Sequence, residues 1–269
     1  MKLSYTTLAA PDWTLDQFIQ AAVENGYHGL DFRGYKREMD LFELPEFTST
    51  AEATRKRIAD AGLTISAFSS NAILFRTKPA EREASIKQVR EYAKLCVVFG
   101  VEYIRIFGGG LEGTPVEQAV EQAAGTLEEM ADIAAPARIA VETHDAWVDS
   151  GMMARLMDEV EAENVGVLWD LHHPYRLNGE PVEKTFENIG RHTIYTHIKD
   201  SRPTPGAQRP FNYTLPGEGD VPNERMIRML KDAGYDGWLT LEWEKFWRPD
   251  IAEPEVAIPA YAEFLKPFV

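Results

Sequence analysis

An α/β chain folded as a single (β/α)8 barrel is what this sequence predicts, and three observations carry the prediction. Short apolar runs alternate with amphipathic segments along the whole chain. Each run is continuously hydrophobic rather than alternating, as expected of parallel strands covered on both faces. Spread over eight strand–helix units, 269 residues come to roughly 34 per unit, which suits such a barrel. An open doubly wound sheet is the alternative, but it seldom needs eight parallel strands, and no G-x-G-x-x-G follows the first run. No Gly/Ser linker, charge block or low-complexity tract interrupts the chain, so residues 1–269 are read as one domain.

The predicted strands are 2–7, 28–33, 63–68, 102–107, 138–142, 165–170, 193–198 and 237–242. Between the first two, "TLDQFIQAAVENG" sets Leu15, Phe18, Ile19, Ala22 and Val23 at helical spacing, and Thr14 with Gln17 matches a capping box. "IKQVREYAKLCVVFG" and "VEQAVEQAAGTLEEMADI" repeat that pattern, the first closed by Gly100 as a C-cap. "ENGYHGLDF", "ADAGLTISAF", "VFGVEYIRIF" and "KDAGYDGWLTLE" share one punctuation: helix end, glycine, strand.

Composition narrows the function classes. Hydrophobic residues make up 44% and charged residues 26%, ordinary for a soluble globular chain. There is no apolar stretch of membrane-spanning length, and "MKLSYTTLAAPDW" is too polar for a secretory signal, so the expected location is cytoplasmic. One cysteine, Cys96 in "LCVVFG", allows no internal disulfide and reads as buried packing. A net charge of −15 argues against nucleic acid as a partner, because duplex binding needs a basic footprint.

The unusual residues fall at the C-terminal ends of the strands, where barrel active sites form. The fifth strand ends "RIAVETH", with Glu142 at the tip and His144 two residues on. The sixth ends "VGVLWDLHH", with Asp170 at the tip and His172 and His173 beyond it. The seventh, "TIYTHIKD", presents His197, and the eighth, "GWLTLEWEKF", presents Glu242. Strand alternation then puts Ala140, Leu168, Tyr195 and Thr240 behind these four, inside the barrel. Three uncompensated carboxylates facing one another would repel and take up protons; a divalent cation removes that cost. Glu142, Asp170, His197 and Glu242 form a hard, mostly oxygen ligand set that suits manganese or magnesium and also admits cobalt or zinc. The competing reading makes these acids helix N-caps.

At these residues the chain resembles the xylose isomerase-like TIM barrels of the sugar phosphate isomerase/epimerase superfamily, and in particular the ketose 3-epimerase branch. The resemblance is sharpest at "VET", "WDLHH", "HIKD", "LPGEGDVP" and "YDGWLTLEWEKFW". It implies one metal held by Glu142, Asp170, His197 and Glu242, and a substrate-contacting histidine three residues after the aspartate, which selects His173 over His172. The epimerases carry an arginine six residues after the metal histidine; here that position is Pro203, and Arg202 stands one residue earlier. Relatives often pair through their barrels, so a homo-oligomer, dimer or tetramer, is implied. The endonuclease IV relatives need further histidines after the second and third strands and a D-x-H after the seventh, and this chain has neither.

The chemistry implied is that of a sugar isomerase or epimerase. The cation acts as Lewis acid on a carbonyl and neighbouring hydroxyl, and Glu142 and Glu242 serve as the acid/base pair on opposite faces of the reacting carbon. His173, His144, Arg202, Lys199 and Trp243 are the candidate substrate contacts. Lys199 and Asp200 read either as substrate-ordering groups or as a salt-bridged structural pair. Trp147, Tyr175, Phe211, Trp243, Phe246 and Trp247 follow strand tips and suit a carbohydrate pocket or rim packing. Arg176, Arg202 and Arg209 form no convergent basic set, which favours an unphosphorylated sugar. Two further readings stay open: a lyase or dehydratase acting on a keto-sugar, keto-glycoside or keto-inositol, with His173 or His144 as acid, and a non-catalytic sugar-binding barrel.

Overall fold

Strands with no polar face must be covered on both sides, and a closed ring of parallel strands wrapped in helices does this. In the computed structural model, which describes residues 1–269, the chain takes that form. Seven strands come first: β1 (Lys2–Thr6), β2 (Gly29–Phe32), β3 (Thr64–Ile73), β4 (Tyr103–Phe107), β5 (Arg138–Glu142), β6 (Val165–Asp170) and β7 (Thr193–Ile198). The hairpin β8 (Asp200–Pro203) and β9 (Phe211–Thr214) follows, and β10 (Trp238–Leu241) is the eighth barrel strand. β10 pairs with both β7 and β1, which closes the ring.

The helices are α1 (Leu15–Glu24), α2 (Ala51–Asp60), α3 (Pro79–Phe99), α4 (Val116–Ala134), α5 (Ser150–Glu159), α6 (His173–Asn178), α7 (Val182–Ile189), α8 (Asn223–Asp232) and α9 (Pro254–Leu265). The Thr14–Gln17 capping box opens α1 as predicted, with the Thr14 amide donating to Gln17 Oε1 at 2.9 Å. Of the predicted apolar stripe, Leu15, Phe18 and Ala22 are buried and Ile19 is half-buried, whereas Val23 is 53% exposed. Gly100 ends α3 at φ +68°, the left-handed conformation that glycine adopts without strain. No helix is long and apolar enough to cross a membrane.

Alternation divides the strands between two cores. Ile104, Ile106, Ile139, Val141, Val167, Leu239 and Leu241 point outward into a large apolar cluster under the helices. Ala140, Leu168 and Tyr195 point inward with Ala67, Tyr103 and Trp238 and fill the lower barrel. Thr240, also predicted to lie inside, meets Ser4 across the β1–β10 seam, with the two hydroxyls 2.6 Å apart.

The structure departs from the sequence reading in three places. β3 runs on to Ile73, with an irregular register against β4 between Ser69 and Ile73. The β8–β9 hairpin was not foreseen, because "DSRP" and "FNYT" are too short and too polar to show a strand pattern. The six-residue α6, which starts inside "WDLHH", is likewise too short to show a period.

Candidate active site

Strand alternation carries four side chains past the barrel's packed lower layer to its C-terminal mouth. Glu142 ends β5, Asp170 ends β6, His197 lies near the end of β7, and Glu242 follows β10 by one residue. All four are buried, and one ligand atom from each lies within 4.8 Å of the others. The predicted set therefore converges.

Asp170 explains the "WDLHH" stretch. Its Oδ1 accepts the backbone N–H groups of His172 at 2.8 Å and His173 at 3.2 Å, across the turn into α6. Its Oδ2 faces the cluster, buried, and is met there by the Lys199 ammonium at 2.8 Å. One oxygen of this carboxylate thus orders the turn that follows β6, while the other faces the cluster; the N-cap of α6 is His172, not Asp170. Burial, together with Glu242 and Glu142, raises the Asp170 pKa above the usual carboxylate range against the pull of Lys199.

His197 is held from both sides. Its Nε2 lies 3.2 Å from Asp31 Oδ2, while Nδ1 lies 3.3 Å from both Glu142 Oε1 and Glu242 Oε1. Asp31 also accepts from Ser69 Oγ at 2.8 Å and from the Tyr195 hydroxyl at 3.2 Å, so three donors converge on one fully buried carboxylate. Burial disfavours the imidazolium, but Glu242, Asp31 and Glu142 outweigh it and raise the His197 pKa well above the ordinary range.

Two cations serve the glutamates. Arg105, on β4 and almost fully buried, sets Nε 3.3 Å from Glu142 Oε2. That approach is close enough to attract yet misaligned for a hydrogen bond, and both atoms lack a partner. Burial pushes the Glu142 carboxyl upward, and Arg105 leads the opposing forces that leave it below its usual range. Lys199 is completely buried; its Nζ lies 2.8 Å from Asp170 Oδ2 and 2.9 Å from Glu244 Oε1, and it also pairs with Glu242. Lys199 therefore pairs with the cluster and not with Asp200. Asp200 instead accepts the backbone N–H groups of Gly217, Gly219 and Val221, and so pins the "PGEGDVP" loop.

The histidines differ in environment. His173 Nδ1–H donates to the Thr143 carbonyl at 3.0 Å, and burial lowers its pKa well below the usual value, so its ring is neutral. The His144 ring packs at 4.9 Å from that of His173 and 4.8 Å from that of Phe107. Burial pulls His144 down, but Asp145, 3.0 Å away, and Glu142 leave it raised. His172 turns aside, its Nε2 2.9 Å from Ser201 Oγ, as expected of a structural histidine.

Two predicted contacts are corrected. Trp243 is fully buried outside the barrel, where its Nε1–H donates to the Ala252 carbonyl at 2.9 Å and its ring packs on Tyr261, so no face is left for a substrate. Arg202 lies exposed on the hairpin, and its guanidinium is engaged by the Glu218 carbonyl rather than by the cluster. Trp147, read as a rim aromatic, is also fully buried and packs so closely on Gly108 that a Cβ there would fall 2.1 Å from its ring. Three groups escaped the sequence reading: Asp31, Arg33 and Arg105. The signal was present, since each is a charge set inside an apolar run, "GLDFR" or "YIRIF".

A cleft of about 760 Å³ opens at the opposite end of the barrel, where Lys2, Arg138 and Trp238 begin their strands. It gathers no set of ligating side chains comparable to the four at the C-terminal mouth.

Comparison with known proteins agrees with the barrel fold. Residues 19–268 match the profile of the xylose isomerase-like TIM barrel family. A putative hydroxypyruvate isomerase of Streptomyces coelicolor is 33% identical over 112 residues, 42% of this chain and 33% of that protein. An inosose dehydratase of Clostridium botulinum is 29% identical over 112 residues, 37% of each chain. These matches span only about a third of the curated relatives' own length. The crystal structure of an IOLI protein with a bound zinc atom superposes with TM-score 0.80 at 18% identity, covering 100% of this chain and 96% of that one. Ketose 3-epimerases share the same fold, among them D-psicose 3-epimerase of Clostridium cellulolyticum H10 (TM-score 0.77, 14% identity, 100% of this chain and 99% of that one).

Proposed function

This chain belongs to the xylose isomerase-like TIM barrel family, and from that premise we propose that it is a divalent-metal-dependent isomerase or epimerase of a small sugar-like carbonyl compound. The observation that carries the reading is the buried convergence of Glu142, Asp170, His197 and Glu242. The set fits a metal on its own chemistry. Three carboxylates and one imidazole make a hard donor set, and Glu142 Oε2 is buried without a hydrogen-bond partner, facing Arg105 Nε at 3.3 Å. These four residues would hold the ion, and manganese is the first choice for such donors. A divalent cation there would supply Lewis-acid polarisation of a carbonyl and the hydroxyl beside it.

The chain's own residues divide the remaining work. Glu142 and Glu242 come from β5 and from just after β10, and both enter the same cluster. One takes the proton from the carbon next to the carbonyl, and the other returns a proton from its side. Arg105 beside Glu142 and Lys199 beside Glu242 fix the two carboxylates in place; the one that removes the substrate proton starts ionised, and the other starts with the proton that it returns. The neutral His173, oriented by Thr143, offers Nε2 as an acceptor for a substrate hydroxyl.

A second reading rests on the His144–His173 pair. Two imidazoles 4.9 Å apart, one neutral and one raised, can serve as a base and an acid without using the ion-paired glutamates. That arrangement suits β-elimination of water or an alcohol, as in a dehydratase. Incubation with a panel of ketoses and keto-glycosides in heavy water, followed by NMR, separates the two. Solvent deuterium in an isomeric product, abolished in both Glu142→Gln and Glu242→Gln, supports the isomerase. Loss of water or an aglycone, abolished in His144→Gln, supports the lyase. Turnover that survives in all three variants rejects both.

A further inference from the structure

One group at the mouth has no counterpart. Arg33 follows β2 and is 5% exposed. Its Nη2–H donates to Asn71 Oδ1 at 2.7 Å, and Asn71 is itself oriented by donating to Asp40 at 3.1 Å. Nη1 is buried and meets no acceptor. No carboxylate comes within ion-pair distance of this guanidinium. A second cation lies beside it: Arg33 Cζ stands 5.6 Å from the centre of the Phe107 ring, and Arg105 Cζ stands 4.0 Å from the same centre. His144 packs on that ring too. Burial, then repulsion from Arg105, lowers the Arg33 pKa to about 10, and Arg33 also feels the charges of Glu142 and Glu242.

Withdrawing a guanidinium from water without a counter-ion is unfavourable. An arriving oxyanion would satisfy such a group through charge-assisted, bidentate hydrogen bonds. The other buried cations of the mouth are already committed, Arg105 to Glu142 and Lys199 to Asp170, Glu242 and Glu244. Arg33 alone is preset and unspent.

We infer that Arg33, seated by Asn71 and backed by Phe107, is the receptor for an oxyanion group, a carboxylate or a phosphate, carried by the substrate. Placement of that group on the substrate rests on the four-ligand reading above; the anion site itself rests on Arg33 alone. This shifts the substrate class from a neutral sugar to a sugar acid, keto acid or sugar phosphate, with its anion on the β2–β4 side of the reacting carbon.

The test uses glycolate, inorganic phosphate and, as neutral control, glycerol, titrated by ligand-observed NMR into the desalted, metal-free protein and into its Arg33→Met and Arg33→Lys variants. At least one anion should bind the parent protein tenfold or more tighter than Arg33→Met, with Arg33→Lys between, while glycerol does not distinguish the three. Response to glycolate alone assigns a carboxylate, to phosphate alone a phosphate, and to both a site for the charge they share. Thermal melting gives an independent readout. A ligand-receiving Arg33 burdens the empty fold, so Arg33→Met should melt at the same temperature or higher. A clear drop in melting temperature, absence of anion binding, or equal binding by Arg33→Met overturns the inference. Metal stoichiometry, measured alongside, separates the two readings. Arg33-dependent anion binding in a protein that takes up no metal leaves this inference standing and removes the other.

Discussion

Replacing Asp31 by asparagine would remove one negative charge from behind His197 and leave the shape of the site almost unchanged. The carboxylate accepts three hydrogen bonds, from Ser69 at 2.8 Å and from Tyr195 and His197 at 3.2 Å. The two hydroxyls have other outlets, since Tyr195 also reaches Ser66 at 2.8 Å and a serine hydroxyl can rotate. The His197 Nε2–H has none, so the loss concentrates there. With Asp31 in place, Nε2 carries the proton and Nδ1 is the nitrogen aimed between Glu142 and Glu242. Asparagine weakens that orientation and lowers the basicity of the ring. Loss of a carboxylate behind a ligating histidine typically costs about 10–100-fold in metal affinity, or ~1.4–2.7 kcal/mol. Competition against a fluorescent chelator measures this directly, and far-UV circular dichroism checks that the barrel is intact. Asp31→Asn binding metal within twofold of the parent protein, with an unchanged fold, would refute the argument that Asp31 presents His197 to an ion.

One further prediction concerns the same network and another the outer core. Lys199→Met strips the ammonium from between Asp170, Glu242 and Glu244, and breaking a buried pair from one side costs roughly 3–5 kcal/mol. Thermal unfolding of the metal-free variant should register that loss, and added divalent metal should stabilise Lys199→Met more than the parent; equal melting without metal would show that Lys199 is not needed as counter-charge. Cys96 is 3% exposed, and burial pushes its thiol up to about 12, so a disulfide exchange reagent at pH 8 should leave the folded protein unlabelled and label it once denatured; rapid labelling of the native state would contradict that burial.

Much of this architecture could be read from the chain because its signals are local and repeated. The barrel strands are short apolar runs, and in "RIAVE" and "VGVLWD" the closing carboxylate appears within six residues. Four such ends in succession make a ligand set legible in the chain itself, since alternation forces them to one end of the barrel. What stayed hidden depends on long-range pairing. Asp31 lies 166 residues from His197, and its role exists only because β2 and β7 face each other across the ring. Arg33 and Arg105 converge on Phe107 for the same reason. Trp243 misled because residues after a strand tip can turn either into the mouth or outward beneath a helix, and only the packing of α9 shows that it turns outward.

Anomalous diffraction from crystals grown with manganese tests the central claim most directly. One strong peak bounded by Glu142, Asp170, His197 and Glu242 is the expected result. A peak held instead by Asp170, His172 and His173, the other group of this molecule able to ligate a metal, or no peak at the mouth at all, would contradict it.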